Sequence, residues 1–148
     1  MKAFDPLADI ENSRSILEAG RFWPTFHDAI VYSLSFWRGD VRPDDGVWIL
    51  PTIDATFELA ALMRPYVADL RFHNCCDVRM SRFDHNNSIY DLTFAFEDRG
   101  YYADGVTPLP PYVCVAFEDG EGFEPLLSFK CFRVEAIGRR DVSDPPRR

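Results

Sequence analysis

Phe22-Trp23-Pro24-Thr25-Phe26-His27-Asp28, followed by the run Ala29–Arg38, is the stretch on which the fold turns. Pro24 pushes Trp23 towards extended backbone. His27-Asp28 stands at a corner, and from there the side chains alternate. In an extended chain Ile30, Tyr32, Leu34 and Phe36 share one face, and Ala29, Val31, Ser33, Ser35 and Trp37 share the other. The first set is the more apolar and is expected in the core. A β domain begins here.

Working towards the N-terminus, Asp9–Gly20 is expected to form a short helix. It has acidic residues in its first turn, Ile16 and Leu17 turned to the core, and Gly20 as its stop. Residues 1–9 are expected to be a loose arm. Towards the C-terminus, Gly39-Asp40 and Arg42–Gly46 carry turn chemistry. A second strand runs from about Val47 to Phe57, interrupted by Pro51, which suits an edge or a bulge. Glu58–Met63 reads as a helical turn ended by Arg64-Pro65, and Tyr66–Phe72 as a third strand. Cys76–Phe83 is a short segment with Val78 and Met80 inward, and Asp84–Ser88 a polar corner.

Ile89–Glu97 is the clearest amphipathic strand, with Tyr90, Leu92, Phe94 and Phe96 on one face. Asp98–Pro111, with three prolines and two glycines, reads as a long loop or a disordered lip. Tyr112–Phe117 is a further strand, and Glu118–Gly122 an acidic hairpin turn. In Leu126–Ile137 the apolar parity changes between Phe129/Cys131 and Phe132/Val134/Ala136, which suggests a bulge. Residues 139–148 are expected to be a flexible tail. The pattern predicts a mainly β chain with a minor α part. Its architecture is an antiparallel β-sandwich or open barrel of six to seven strands with one short N-terminal helix, in a single domain over 1–148.

A chain of 148 residues with 47% hydrophobic and 15% aromatic content can fill a core without a metal or disulfide staple. Its net charge of −8 argues against nucleic acid as a partner, because phosphate binding needs a basic footprint. The same charge suits a basic protein partner. No apolar run reaches membrane length and Met1–Pro6 has no signal-peptide core, so a cytoplasmic chain with reduced Cys75, Cys76, Cys114 and Cys131 is expected.

Few residue groups suggest chemistry. Neighbours on a strand point apart, so His27 and Asp28 are not expected to bond each other, and Asp28 is read as a cap on nearby backbone N–H groups. His27, His73, Cys75, Cys76 and His85 lack the local pairs of a zinc site. Nothing in the pattern selects two of Asp91, Glu97, Glu118, Asp119, Glu121 and Glu124 as a catalytic carboxylate pair. No cofactor, no metal and no enzymatic reaction is therefore expected. Trp23, Phe26, Phe36, Trp37, Trp48 and Phe57 offer an aromatic cavity lining for a small ligand as an alternative, and a hydrolase using His27 or His85 is a weaker third reading. Trp37 and Trp48 fall on the polar side of their strands, which nominates them as protein-contact residues.

Trp23-Pro24-Thr25-Phe26-His27-Asp28-Ala29 before an alternating strand, the strand Val67–Phe72, and Phe83–Leu92 together resemble the immunity protein 50 family of bacterial polymorphic toxin systems. Ile30 stands where that family commonly has an acidic residue. The resemblance covers about residues 22 to 136. It implies a cytosolic antidote that neutralises a cognate toxin domain by direct binding, without catalytic residues. Partner contacts are then expected at Trp37, Trp48, Glu118, Asp119 and Glu121, with Trp23, Pro24, His27, Asp28, His85 and Asn86 as structural corners.

Overall fold

A computed structural model describes residues 2–17, 22–38, 51–60, 65–81, 88–120 and 124–141. Among these, the strands are β1 (Ile30–Trp37), β2 (Thr52–Ala60), β3 (Pro65–His73), β4 (Cys76–Met80), β5 (Asp91–Glu97), β6 (Tyr112–Glu118), β7 (Leu127–Cys131) and β8 (Arg133–Asp141). They form two antiparallel four-stranded sheets, ordered β1-β2-β3-β8 and β4-β7-β6-β5. The architecture is a β-sandwich, one of the two forms the alternation predicts, with eight strands among the described residues where six to seven were expected.

The core lies between the sheets. Phe57 and Phe72 from the first sheet meet Phe117 and Phe129 from the second, with ring centroids 5.0 to 6.4 Å apart. The inward positions Ile53, Ala55, Phe57 and Leu59 on β2 and Ala68, Leu70 and Phe72 on β3 are all buried. Burying each large side chain contributes about 1.5–3 kcal/mol, so this aromatic layer carries much of the stability.

Among the described residues the sheets are joined at two corners. The β3–β8 ladder pairs Phe72 with Val134 and His73 with Arg133, and the β4–β7 ladder resumes at Cys76 and Lys130 without a slip. Both chains bend together: Asn74 adopts φ 58° and the Phe132 N–H donates to the His73 carbonyl at 3.0 Å. Strands that switch sheets through such bends are how sandwiches make corners. The expected single strand Leu126–Ile137 is thus two strands in different sheets, and the parity change marks a corner where a bulge was expected. At the second corner Ile30 bridges Ser88, and the Ile89 N–H donates to the Ala29 carbonyl at 2.9 Å.

Several local expectations are corrected. In β1, Val31 pairs with Phe57 and Ser33 with Thr56, so Tyr32 is the extra residue of a bulge. The slip reverses the start of the strand: Val31 is buried at 3% exposure and Ile30 is 46% exposed, and Phe36, also expected inward, is exposed. Glu58–Ala60, expected to open a helical turn, instead continue β2, because their backbone pairs with Pro65–Val67; residues 61–64 lie outside the described residues. Pro51 precedes β2, and its carbonyl accepts the Cys75 N–H at 2.6 Å. Val78 and Met80 are exposed on β4, whose register slips between Cys76 and Arg79. Tyr90 is exposed rather than inward, since it lies before β5 begins. Val47–Leu50 lie outside the described residues.

The N-terminal segment is not a loose arm before a helix. Asp5 caps a one-turn helix, α1 (Pro6–Asp9), by accepting the Leu7 N–H, and Ser13–Ile16 form a 3-10 turn. Asn12, at φ 57°, breaks any continuous helix. Between the two turns Glu11 exchanges backbone hydrogen bonds with Val134 and Ala136 and so covers the outer edge of β8. Phe4 stacks on Phe94 at 5.0 Å. Arg139–Asp141 belong to β8 rather than to a tail, and the Arg139 guanidinium lies 4.1 Å from the Tyr66 ring centroid.

Candidate functional site

The outer face of the first sheet is polar, because alternation turns Thr52, Asp54 and Thr56 of β2 and Asp69, Arg71 and His73 of β3 away from the core. Cross-strand register brings Ser35, Asp54, Arg71 and Glu135 into one row, one residue from each strand of the sheet. Arg71 Nε donates to Asp54 Oδ1 at 2.6 Å. His73 Nε2 and Glu135 Oε1 are 2.9 Å apart. Arg133 Nε donates to Glu11 Oε2 at 2.6 Å, extending the row of charges onto the N-terminal segment.

The hydrogen bond to Asp54 pushes the Arg71 pKa above the ordinary guanidinium range, against the opposing effect of burial, and Glu11 does the same for Arg133. Half-exposed pairs of this kind contribute at most about 1 kcal/mol each. Their main effect is to hold the side chains in fixed positions. Trp37 stands beside them. Ser35, Trp37, Thr52, Asp54, Arg71 and His73 enclose an open groove of about 390 Å³, and Trp37 is 60% exposed. An aromatic plate beside fixed donors and acceptors can hold a protein side chain by stacking and hydrogen bonding together.

The other nominated residues lie elsewhere. Glu118 ends β6 and faces Asp91 across the ladder, with Thr93 Oγ1 donating to Glu118 Oε1 at 3.1 Å. Asp119 follows it, half-buried. Register places these acids at the end of the sandwich opposite Trp37, with the His27-Asp28 corner: the Asp28 N–H donates to the Tyr90 carbonyl, and the Tyr90 N–H to the Glu118 carbonyl. Trp48, Glu121, His85 and Asn86 lie outside the described residues.

At the His27-Asp28 corner two expectations fail. The residues sit in a turn rather than a strand, and Asp28 is left-handed at φ 61°, so the side chains do meet, with His27 Nε2 at 3.3 Å from Asp28 Oδ2. The side-chain cap is Thr25, whose Oγ1 accepts the His27 N–H at 3.2 Å. Trp23 packs on Phe26 at 5.9 Å and Pro24 is buried, so both serve the entry to β1.

Phe26 and Phe57 are core residues 5.1 Å apart, while Phe36 and Trp37 are exposed. The aromatics proposed as a cavity lining are therefore divided between core and surface. Cys75 is buried and donates Sγ–H to the Phe72 carbonyl. Burial pushes its pKa up to about 12, so it keeps its proton and is a poor metal ligand. Among the described residues no three His, Cys, Asp or Glu side chains gather as a metal site.

Sequence reasoning missed Arg71 and Glu135, and weighed His73 only as a metal ligand. Each alternates outward in the pattern, but their meeting depends on β3 pairing with β8, across more than sixty residues of chain. Among the described residues no helix is long and apolar enough to cross a membrane. Comparison with protein-family models, with curated proteins and with solved structures finds no match.

Proposed function

We propose that the chain is a binding protein that neutralises a toxin domain by direct association, as an immunity protein does. The observation that carries this reading is Trp37: a large aromatic side chain, 60% exposed, set in a groove whose polar wall is fixed by the Arg71–Asp54 ion pair. Exposed tryptophan beside ordered polar groups is the usual anatomy of an interface hot spot. The resemblance around Trp23–Ala29 and residues 83–92 supplies the class of partner, and the charge of −8 favours a basic one. The acidic end formed by Asp28, Asp91, Glu118 and Asp119 adds attraction at long range.

The test is co-expression with the product of the reading frame that neighbours this chain's gene, taken as the candidate toxin domain. Cell growth should be restored, and the purified proteins should form a stoichiometric complex that associates more slowly in high salt. Trp37→Ala should weaken the complex by roughly 30-fold or more while leaving thermal stability within about 0.5 kcal/mol. Failure of the wild-type chain to protect the cells or to bind the toxin would overturn the reading.

A further inference from the structure

Glu97 and Tyr112 are paired neighbours at the ends of β5 and β6, a junction that a two-residue turn could close. The chain instead inserts Asp98–Pro111. Long insertions of this kind in compact domains usually serve a function or are disordered, and this one is folded on itself. Tyr101 bridges Pro108. The Tyr102 N–H donates to the Thr107 carbonyl at 2.8 Å and the Leu109 N–H to the Gly100 carbonyl at 2.8 Å. At the tip, Asp104 accepts from the Val106 and Thr107 N–H groups, both at 2.9 Å, and from the Thr107 hydroxyl. Gly105, at φ 71°, makes the left-handed step that this turn requires.

The base of this hairpin is clamped. Tyr112 and Phe132 stack 5.4 Å apart, and the Arg99 guanidinium lies 4.7 and 4.9 Å from their ring centroids. Arg99 Nη1 also donates to the Pro110 carbonyl at 3.2 Å. The hairpin is thus a stiff projection, and it presents apolar groups to water. Tyr101 is 62% exposed, Tyr102 51% and Val106 77%. None of the three belongs to the buried core cluster.

We propose that the Asp98–Pro111 hairpin is an insertion element that places Tyr101, Tyr102 and Val106 into a basic cleft on the protein partner. Tyrosine supplies a large contact area with few rotatable bonds, so little entropy is lost when it is held. A hairpin already tied by its own hydrogen bonds adds little further ordering cost on binding. Charge selects the sign of the cleft. Arg99 is folded down onto the base, which leaves Asp98 and Asp104 as the ionic groups of the projection, on a chain of net charge −8. Trp37 and the hairpin base lie at the same end of the sandwich, since β1 ends where β6 begins, around the Phe132 corner. One partner can therefore meet both. This inference rests on the reading of the chain as a toxin-binding protein and names the element that reaches into the toxin.

The experiment compares full-length wild-type chain, the triple variant Tyr101→Ala/Tyr102→Ala/Val106→Ser, and Asp104→Ala, each titrated against the purified toxin domain by calorimetry. The triple variant should lose roughly 100-fold or more in affinity at unchanged melting temperature, because its side chains are exposed and lie outside the core cluster. Asp104→Ala keeps both tyrosines but unties the tip, and should lose about tenfold in affinity. Wild-type affinity in the triple variant would overturn the hairpin proposal and leave the toxin-binding reading intact. No binding by the wild type would overturn both. Sedimentation with phosphatidylglycerol vesicles that requires the two tyrosines would also overturn it, because the tip would then be a membrane contact.

Discussion

The edge strand β1 and the run β7–β8 both depart from simple alternation, in opposite ways. In β1 the residues alternate without a fault, yet the backbone slips at Tyr32, so that Val31 is buried and Ile30 faces water beside Glu58. In β7–β8 the residues change parity at Phe132, yet the ladder register does not slip at that point, from His73/Arg133 to Cys76/Lys130, and the chain turns a corner into the other sheet. A bulge and a corner each shift the pattern by half a period. Which of them occurs depends on the partner strand, and the alternating chain carries no record of that partner.

The contrast can be broken experimentally. The largest effect is expected at the corner, where Phe72 of the first sheet and Phe129 of the second meet edge to face at 5.0 Å. Phe72→Ala or Phe129→Ala should each cost about 3–5 kcal/mol in urea unfolding. The double variant should lose less than the two single losses combined, because the rings share one contact. Full additivity would mean that the two sheets do not lock together there.

A smaller effect distinguishes the bulge from unbroken alternation. Threonine keeps the β-branched shape but adds a hydroxyl. Val31→Thr buries that hydroxyl and should cost about 1–3 kcal/mol, whereas Ile30→Thr should stay within about 0.5 kcal/mol. The reverse order in chemical denaturation would restore strict alternation and remove the Tyr32 slip.

The smallest expected effect concerns the thiols at the corner. Burial pushes Cys75 up to about 12 and raises Cys131 further, while unfolded thiols lose their protons near about 8.5. Between those values the folded chain binds more protons than the unfolded one, so raising the pH favours unfolding. The stabilising contribution is complete below the unfolded pKa and declines above it, by up to about 1.4 kcal/mol per thiol per pH unit. Urea midpoints measured at pH 8 and pH 10 should therefore fall less in Cys131→Ala than in the wild type. Equal falls in the two proteins would place the thiol in a solvated site.

The surfaces follow the same logic. Trp37 was legible as an outward residue because it lies beyond the slip, in phase with Ser33 and Ser35. Its polar neighbours were not legible, since Asp54, Arg71 and Glu135 come from three strands joined only by register. Asp98–Pro111 showed its prolines and glycines but not its internal ladder, because Asp104 and Arg99 act through backbone groups and rings that a residue pattern does not place. Trp37 and Glu118 both alternate outward, yet they sit at opposite ends of the sandwich.

From residues alone, local physics determined the material of the fold: period-two runs, turn chemistry and apolar content require a two-faced β chain with a filled interior. What the tertiary structure decided was adjacency. Pairing β3 with β8 and β4 with β7, and bending both pairs at Asn74 and Phe132, chose which side chains share a surface. The reason is that alternation acts between neighbours along one strand, whereas register is set between strands far apart in the chain, by the packing of the whole core.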